Sequence, residues 1–367
     1  MTDGSEAGDP PPAAALRDAI DREASAEVES LVRRLRDGSD DAWKDRLRVL
    51  QSAADTEPST VAPALPLFDA FLTDGDRPVR LRAVKTVVAV AESRPTAVEP
   101  LVEVLTERLY DDFYFVRARA AEALGLLARA DPSAVDATTA RARFLDCLGD
   151  EKPAARGKAA KAFAHLAAGD PDACRSAVGN FAARLDDESP VVRFWLATAV
   201  ATVALDHPQT VEPIGDDVAD LLADGNPFVR GRALECLGAL RRDGWRPDGA
   251  VDFEPHLTDG NSFVQARACW ALAGDDGRVE AHRPRLEELA RADDDAVRRA
   301  ATTALDGHAH GASGAGVQLV EDFRDPAYSF DADVEHPEPR ENACPNCGTT
   351  YPPAGPPVCP TCDTPGR

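Results

Sequence analysis

The sequence predicts an all-α solenoid of about eight two-helix units, ending in a small four-cysteine module. Three observations carry this reading. The composition favours helices, one motif recurs at near-constant spacing through most of the chain, and two Cys-x-x-Cys pairs close it.

Composition comes first. The chain has 367 residues, of which 44% are hydrophobic but only 6% aromatic, with one Met and abundant Ala. Ala loses no side-chain entropy in a helix, so such a chain favours helices over β architecture. At this length a single compact core is disfavoured, which leaves several domains or a repeat array.

The repeat is the second observation. An Asp, a short turn, a Val-Arg pair and an Ala/Leu-rich run recur as Asp74…Val79-Arg80, Asp111…Val116-Arg117, Asp187…Val192-Arg193 and Asp224…Val229-Arg230. Asp150…Ala155-Arg156 and Asp259…Val264-Gln265 are looser copies, Asp40…Arg46 leads the series, and a shortened Asp293…Val297-Arg298 closes it. Successive Arg positions lie 34, 37, 39, 37, 37, 35 and 33 residues apart. Such self-similarity is the signature of a stacked array, because a two-helix unit cannot bury both apolar stripes alone.

Within each unit the run after Arg is helical, as in Ala120, Ala121, Leu124 and Leu127 after Arg117. The preceding helix is announced by Pro95-Thr96 and Pro208-Gln209-Thr210, with Thr expected to cap and Pro tolerated in the first turn. Asp131-Pro132, Asp170-Pro171 and His207-Pro208 separate the units.

These residues resemble the HEAT repeat, and the Asp…Val-Arg…Ala-Ala…Ala-Leu form is similar to its phycobilisome-lyase-like subclass. The resemblance covers roughly residues 24–306. It implies an inter-unit ladder of hydrogen bonds between Asp and Arg, weakened toward the C-terminal end, where Gln265 departs from the pattern and the last unit lacks one turn residue. It implies an interaction scaffold in the armadillo-like class. Some HEAT-like arrays are enzymes, but this chain has no His-Glu dipeptide of the deoxyhypusine hydroxylase kind. It offers no pocket signature of the bilin lyases either.

The third observation is Cys344-Pro345-Asn346-Cys347-Gly348, eleven residues, then Cys359-Pro360-Thr361-Cys362. Each pair forms a knuckle whose thiolates point at one ion, and two knuckles supply four tetrahedral ligands. The predicted cofactor is a structural Zn²⁺ held by Cys344, Cys347, Cys359 and Cys362, with all four positions filled and none left for catalysis. The segment resembles the short zinc-ribbon modules of prokaryotic proteins. Gly348 and Tyr351 also resemble the rubredoxin-like domain of rubrerythrins, which would place iron and electron transfer here. Cys147, Cys174, Cys236 and Cys269 are solitary and expected in the core.

The resulting organisation is a disordered acidic tail (1–15), a solenoid (16–306), a flexible linker (307–342) that includes His308 and His310, and the ribbon (343–367). No stretch reads as a targeting signal or a membrane span, so a cytoplasmic protein is expected. Asp and Glu number 64 against 41 Lys and Arg, a formal net of −23. Such a surface repels nucleic acid and anionic membranes, leaving the ribbon as the candidate nucleic-acid contact. The same acidic surface resembles that of halophilic proteins.

Two residues after each motif position stand Arg48, Arg82, Arg119, Lys158, Trp195, Arg232 and Arg267. A basic row with one Trp suits a protein partner presenting an acidic peptide or tail, with Trp195 as anchor. Equally, these bases can pair with neighbouring carboxylates. Just before each Val stand Phe115, Val191, Phe228 and Phe263, expected to close the inter-helix turn rather than meet a partner.

Overall fold

The structure, a computed structural model, describes residues 11–36, 43–135, 137–246 and 251–306. Among them every regular element is helical. No helix there is long and apolar enough to cross a membrane. The chain divides into two compact units, residues 1–169 and 170–367.

Eight motif helices are formed: Trp43–Thr56, Arg77–Ser93, Tyr114–Ala130 and Pro153–Gly169 in the first unit, then Pro190–Asp206, Pro227–Arg242, Ser262–Leu272 and Asp295–Leu305 in the second. In each unit consecutive motif helices pack side by side in chain order. Their starts are fixed by local chemistry. Pro190 and Pro227 sit in first turns, where a missing N–H has no helical partner to lose. Asn226, Asn261 and Asp294 cap their helices by accepting backbone N–H groups.

Ser25–Arg36, Ala137–Cys147 and Asp276–Leu289 precede their motif helices as continuous helices, but others are broken, which the sequence did not foretell. Residues Pro95–Leu101 form a 3-10 stretch before the short α-helix Val102–Arg108, and Pro208–Val211, Glu212–Ile214 and Gly215–Asp220 repeat the pattern. Pro100 and Pro213 stand inside these segments, where each lacks a donor and crowds the preceding turn, so the chain tightens. Nor does Thr cap them. The N-cap positions are Arg94 and His207, each immediately before the Pro and without a side-chain cap, and the Thr210 hydroxyl instead accepts from Arg175.

The motif Asp and Arg make the bonds that the HEAT resemblance implies. Each Asp side chain accepts the N–H two residues on, closing the turn: Asp74, Asp111, Asp150, Asp187, Asp224 and Asp259 do so at 2.7–2.9 Å. Arg80, Arg117, Arg193 and Arg230 each reach back to the carbonyl six residues earlier and forward to the next Asp. Arg117 donates to Asp111 O at 2.7 Å and to both Asp150 oxygens at 2.6 and 3.0 Å. Arg193 treats Asp187 and Asp224 in the same way. Gln265 keeps only the backward bond, to Asp259 O at 2.7 Å.

Close approach of the helices rests on small residues. A Cβ on Gly125 would lie 2.8 Å from Ala162 Cα, and one on Gly238 would lie 2.8 Å from Ala271 Cα. Between them the apolar stripes and the rings of Phe68, Phe71, Phe144, Phe163, Phe181, Phe194 and Phe253 are fully buried. Each such side chain contributes roughly 1.5–3 kcal/mol of transfer free energy. Cys147, Cys174, Cys236 and Cys269 lie in this core. Burial pushes the Cys147 and Cys269 thiols up to about 12.

At the N-terminus the first helix begins at Ala13, inside the stretch expected as a tail, and Arg46 donates to Pro11 O at 3.0 Å. His308, His310 and the four ribbon cysteines, Cys344, Cys347, Cys359 and Cys362, lie outside the described residues.

Candidate functional site

The bases two residues after the motif positions line one flank of the motif helices, but not as an open row. Arg48 is exposed and pairs with Asp45 at 3.4 Å. Arg82 and Arg119 are half-buried. Lys158, Trp195, Arg232 and Arg267 are all buried, Arg232 to 1% exposure. For Arg119 and Arg232 a carboxylate stands three residues further on, and Lys158 and Arg267 reach the same carboxylates from the next helix.

In the first unit Glu122, itself buried, accepts from Arg119 on its own helix and from Lys158 Nζ of the next motif helix at 2.6 Å. Lys161 Nζ lies 3.6 Å from the same carboxylate. In the second unit Glu235 accepts from Arg232 on its own helix at 2.7 Å and from Arg267 of the next at 2.8 Å. The two carboxylates occupy the same repeat position, five residues after a motif Arg. They form the rungs of a second ladder beside the Asp–Arg one. The spacing Arg-x-x-Glu at 119/122 and 232/235 is the sequence signal for it, since residues three apart on a helix are neighbours.

The electrostatics differ between the units. Burial works against the Glu122 charge, yet three facing cations outweigh it and hold the carboxyl well below its usual range. Lys158 shares that single carboxylate with Lys161 and Arg119, so burial is not offset and its pKa falls to about 7. Burial likewise holds His165 well below the ordinary histidine value, helped by Lys161 and Arg129. Glu92 is raised by burial and by Glu122, against Lys161, Lys158 and Arg119. In the second unit the charges meet rings instead. Arg267 lies 4.1 Å over Phe263, and Arg232 lies 5.6 Å from the Phe194 centroid. Trp195 packs edge-on to Phe194 at 4.9 Å and belongs to this buried layer.

The row before each Val divides too. Phe228 is buried between Phe194 and Phe263, at ring separations of 6.4 and 5.2 Å, and Val191 is buried. Phe115 is exposed at 42%, against Tyr114 and Phe113. No group of three or more His, Cys, Asp or Glu among the described residues is placed to hold a metal ion.

No family model matches the chain, and no curated protein matches it. Solved structures do. An engineered protein aligns at 20% identity with a TM-score of 0.56, covering 83% of this chain and 93% of its own. A computationally designed armadillo repeat protein for modular peptide recognition aligns at 20% identity with a TM-score of 0.50, covering 61% of this chain and 99% of its own. The likeness concerns the fold, and it agrees with the helices in placing the chain among all-α helical-repeat solenoids.

Proposed function

We propose that the chain is a non-enzymatic protein-binding scaffold of the HEAT type, in its phycobilisome-lyase-like form, working in the cytoplasm. The observation that carries this reading is the register of the motif helices. Side chains two and five residues after each motif position recur on one flank, so one partner segment can be read by several repeats in turn. The designed armadillo protein of similar fold is built for modular peptide recognition, which favours a peptide-like ligand over a small molecule. The partner is proposed to present an acidic segment, because the accessible members of the row, Arg48, Arg82 and Arg119, are bases.

The test is capture of partners by the intact protein and by an Arg48→Glu/Arg82→Glu variant. Loss of bound partners from the variant supports the base row, and an unchanged set overturns it. Arg232 is unsuitable for such a test, since reversing a buried charge would disturb the fold itself.

The two Cys-x-x-Cys pairs are proposed to hold one structural Zn²⁺ and to form an auxiliary binding module. Four thiolates in two close pairs fit zinc as a donor set. Metal analysis should return one zinc per chain and a colourless protein. Iron with a visible charge-transfer band would replace this by a rubredoxin-like electron-transfer tail.

A further inference from the structure

The second ladder has a gap, and the gap faces a cavity. In the Arg77–Ser93 helix the position filled elsewhere by Glu122 and Glu235 is Lys85. Its neighbour three residues earlier, Arg82, therefore lacks the carboxylate that clamps Arg119 and Arg232. Arg119 turns to Glu122 on its own helix. Among the described residues neither Arg82 nor Lys85 forms an ion pair, and Arg82 Nε is buried without a hydrogen-bond partner.

The cavity beside them has a volume of about 480 Å³ and is lined by Gln51, Arg77, Pro78, Leu81, Arg82, Lys85 and Phe113. Three cations line it and no carboxylate does. Arg77 is tied to Asp112 at 2.8 Å, and its guanidinium lies 5.8 Å from the Phe113 ring centre. Burial, Arg119 and Arg82 together lower the Lys85 pKa, with Asp55 opposing. Beside the cavity Phe113, Tyr114 and the exposed Phe115 form a chain of ring contacts.

We infer that this cavity seats a carboxylate side chain of an acidic peptide from a partner protein, with an adjoining apolar residue on Leu81 and the Phe113–Phe115 rings. The inference rests on the scaffold reading and assigns its anchoring site. The ligand's carboxylate takes the place that Glu122 and Glu235 hold in two other repeats, satisfying the Arg82 fork and the Lys85 ammonium together. Charge complementarity selects the occupant. A polyphosphate would bring many charges against a chain of net −23, whereas one or two carboxylates meet the local excess of base within a Debye length of about 8 Å.

The probe is a fluorescein-labelled peptide of six glutamates around one central leucine, titrated by anisotropy against the full chain. Arg82→Gln/Lys85→Gln should weaken binding by about tenfold or more, while Arg33→Gln, an exposed base outside the row, changes it little. Circular dichroism checks that the variants keep their helices, which removal of two poorly compensated charges should not disturb. A glutamine-for-glutamate peptide should not bind. Inorganic phosphate should compete poorly, and competition by phosphate as strong as by the peptide would overturn the carboxylate assignment. Equal binding by wild type and the double variant would refute the cavity while leaving the scaffold reading standing. No binding to wild type up to about 1 mM would refute both the cavity and the acidic-peptide ligand.

Discussion

The Arg80 guanidinium grips both carboxylate oxygens of Asp111, 31 residues away in sequence, at 2.7 and 2.9 Å. Its remaining nitrogen donates to Asp74 O at 2.8 Å. One side chain thus closes its own turn and bolts it to the next repeat. Both partners are buried, at 8% and 1% side-chain exposure, so the pair is shielded from water and salt.

Breaking this bolt should be costly in proportion to burial. Asp111→Ala leaves a buried guanidinium half-satisfied and should destabilise the fold by about 3–5 kcal/mol. Arg298 makes the backward bond but its ion pair is with exposed Asp295 on its own helix, so Arg298→Ala should cost about 1 kcal/mol or less. Urea denaturation of the two variants checks the contrast. Equal costs would mean that the ladder does not couple the repeats.

Lys158 predicts a pH signature. Its pKa is 10.5 when unperturbed and falls to about 7 in the fold, through burial opposed by Glu122 and assisted by Lys161 and Arg119. Between these values the folded chain binds fewer protons than the unfolded one, so stability rises with pH across roughly 7 to 10.5. Lys158→Met should flatten that rise. Glu122 acts in the opposite region: its carboxyl is depressed, so its contribution is present above the ordinary glutamate range and fades as pH falls. Glu122→Gln should cost about 3 kcal/mol at neutral pH, and adding Lys158→Met should recover most of it. Thermal melts of the three variants from about pH 2 to pH 10 read all of this.

Much of the fold is legible in the chain itself. The six-residue step from Asp to Arg recurs because one residue type must close a turn while the other spans to the next, and both jobs are local enough to leave a fixed spacing. The broken first helices were hidden because a Pro in a helical run says only that a hydrogen bond is lost, not how the chain tightens around it. The base row was visible, but its burial was not. A side chain on the flank of one helix is covered or left open by its neighbour in space, and Glu122 meets Lys158 across 36 residues. Arg82 and Lys85 read as two more bases until the empty clamp position beside them is seen.

Gly125 should be intolerant of even a methyl group. Alanine is the better helix former by about 1 kcal/mol, yet its Cβ would meet the Ala162 backbone at 2.8 Å and push two motif helices apart. Gly125→Ala should therefore destabilise by about 1–3 kcal/mol net. Gly179 is also helical but meets nothing within 4 Å, so Gly179→Ala should stabilise by up to about 1 kcal/mol. Opposite signs from the same substitution in denaturant midpoints are the expected result. A gain at both sites would show that the Ala162 backbone yields to the added methyl group.

Salt should act on the surface and spare the ladders. With 64 acidic against 41 basic residues the folded chain repels itself, and the Debye length shrinks from about 10 Å at 0.1 M to about 3 Å at 1 M. The Asp–Arg and Glu-centred pairs that join the repeats are largely buried and weakly screened, as Arg80–Asp111 and Arg267–Glu235 show. Raising KCl from about 0.1 to 2 M should therefore relieve repulsion without loosening the joints, and Tm should rise by several degrees. Sodium sulfate would also strengthen apolar burial, so KCl is the cleaner reagent. A Tm that stays flat or falls in KCl would show that self-repulsion of the acidic surface is not a significant load on this fold.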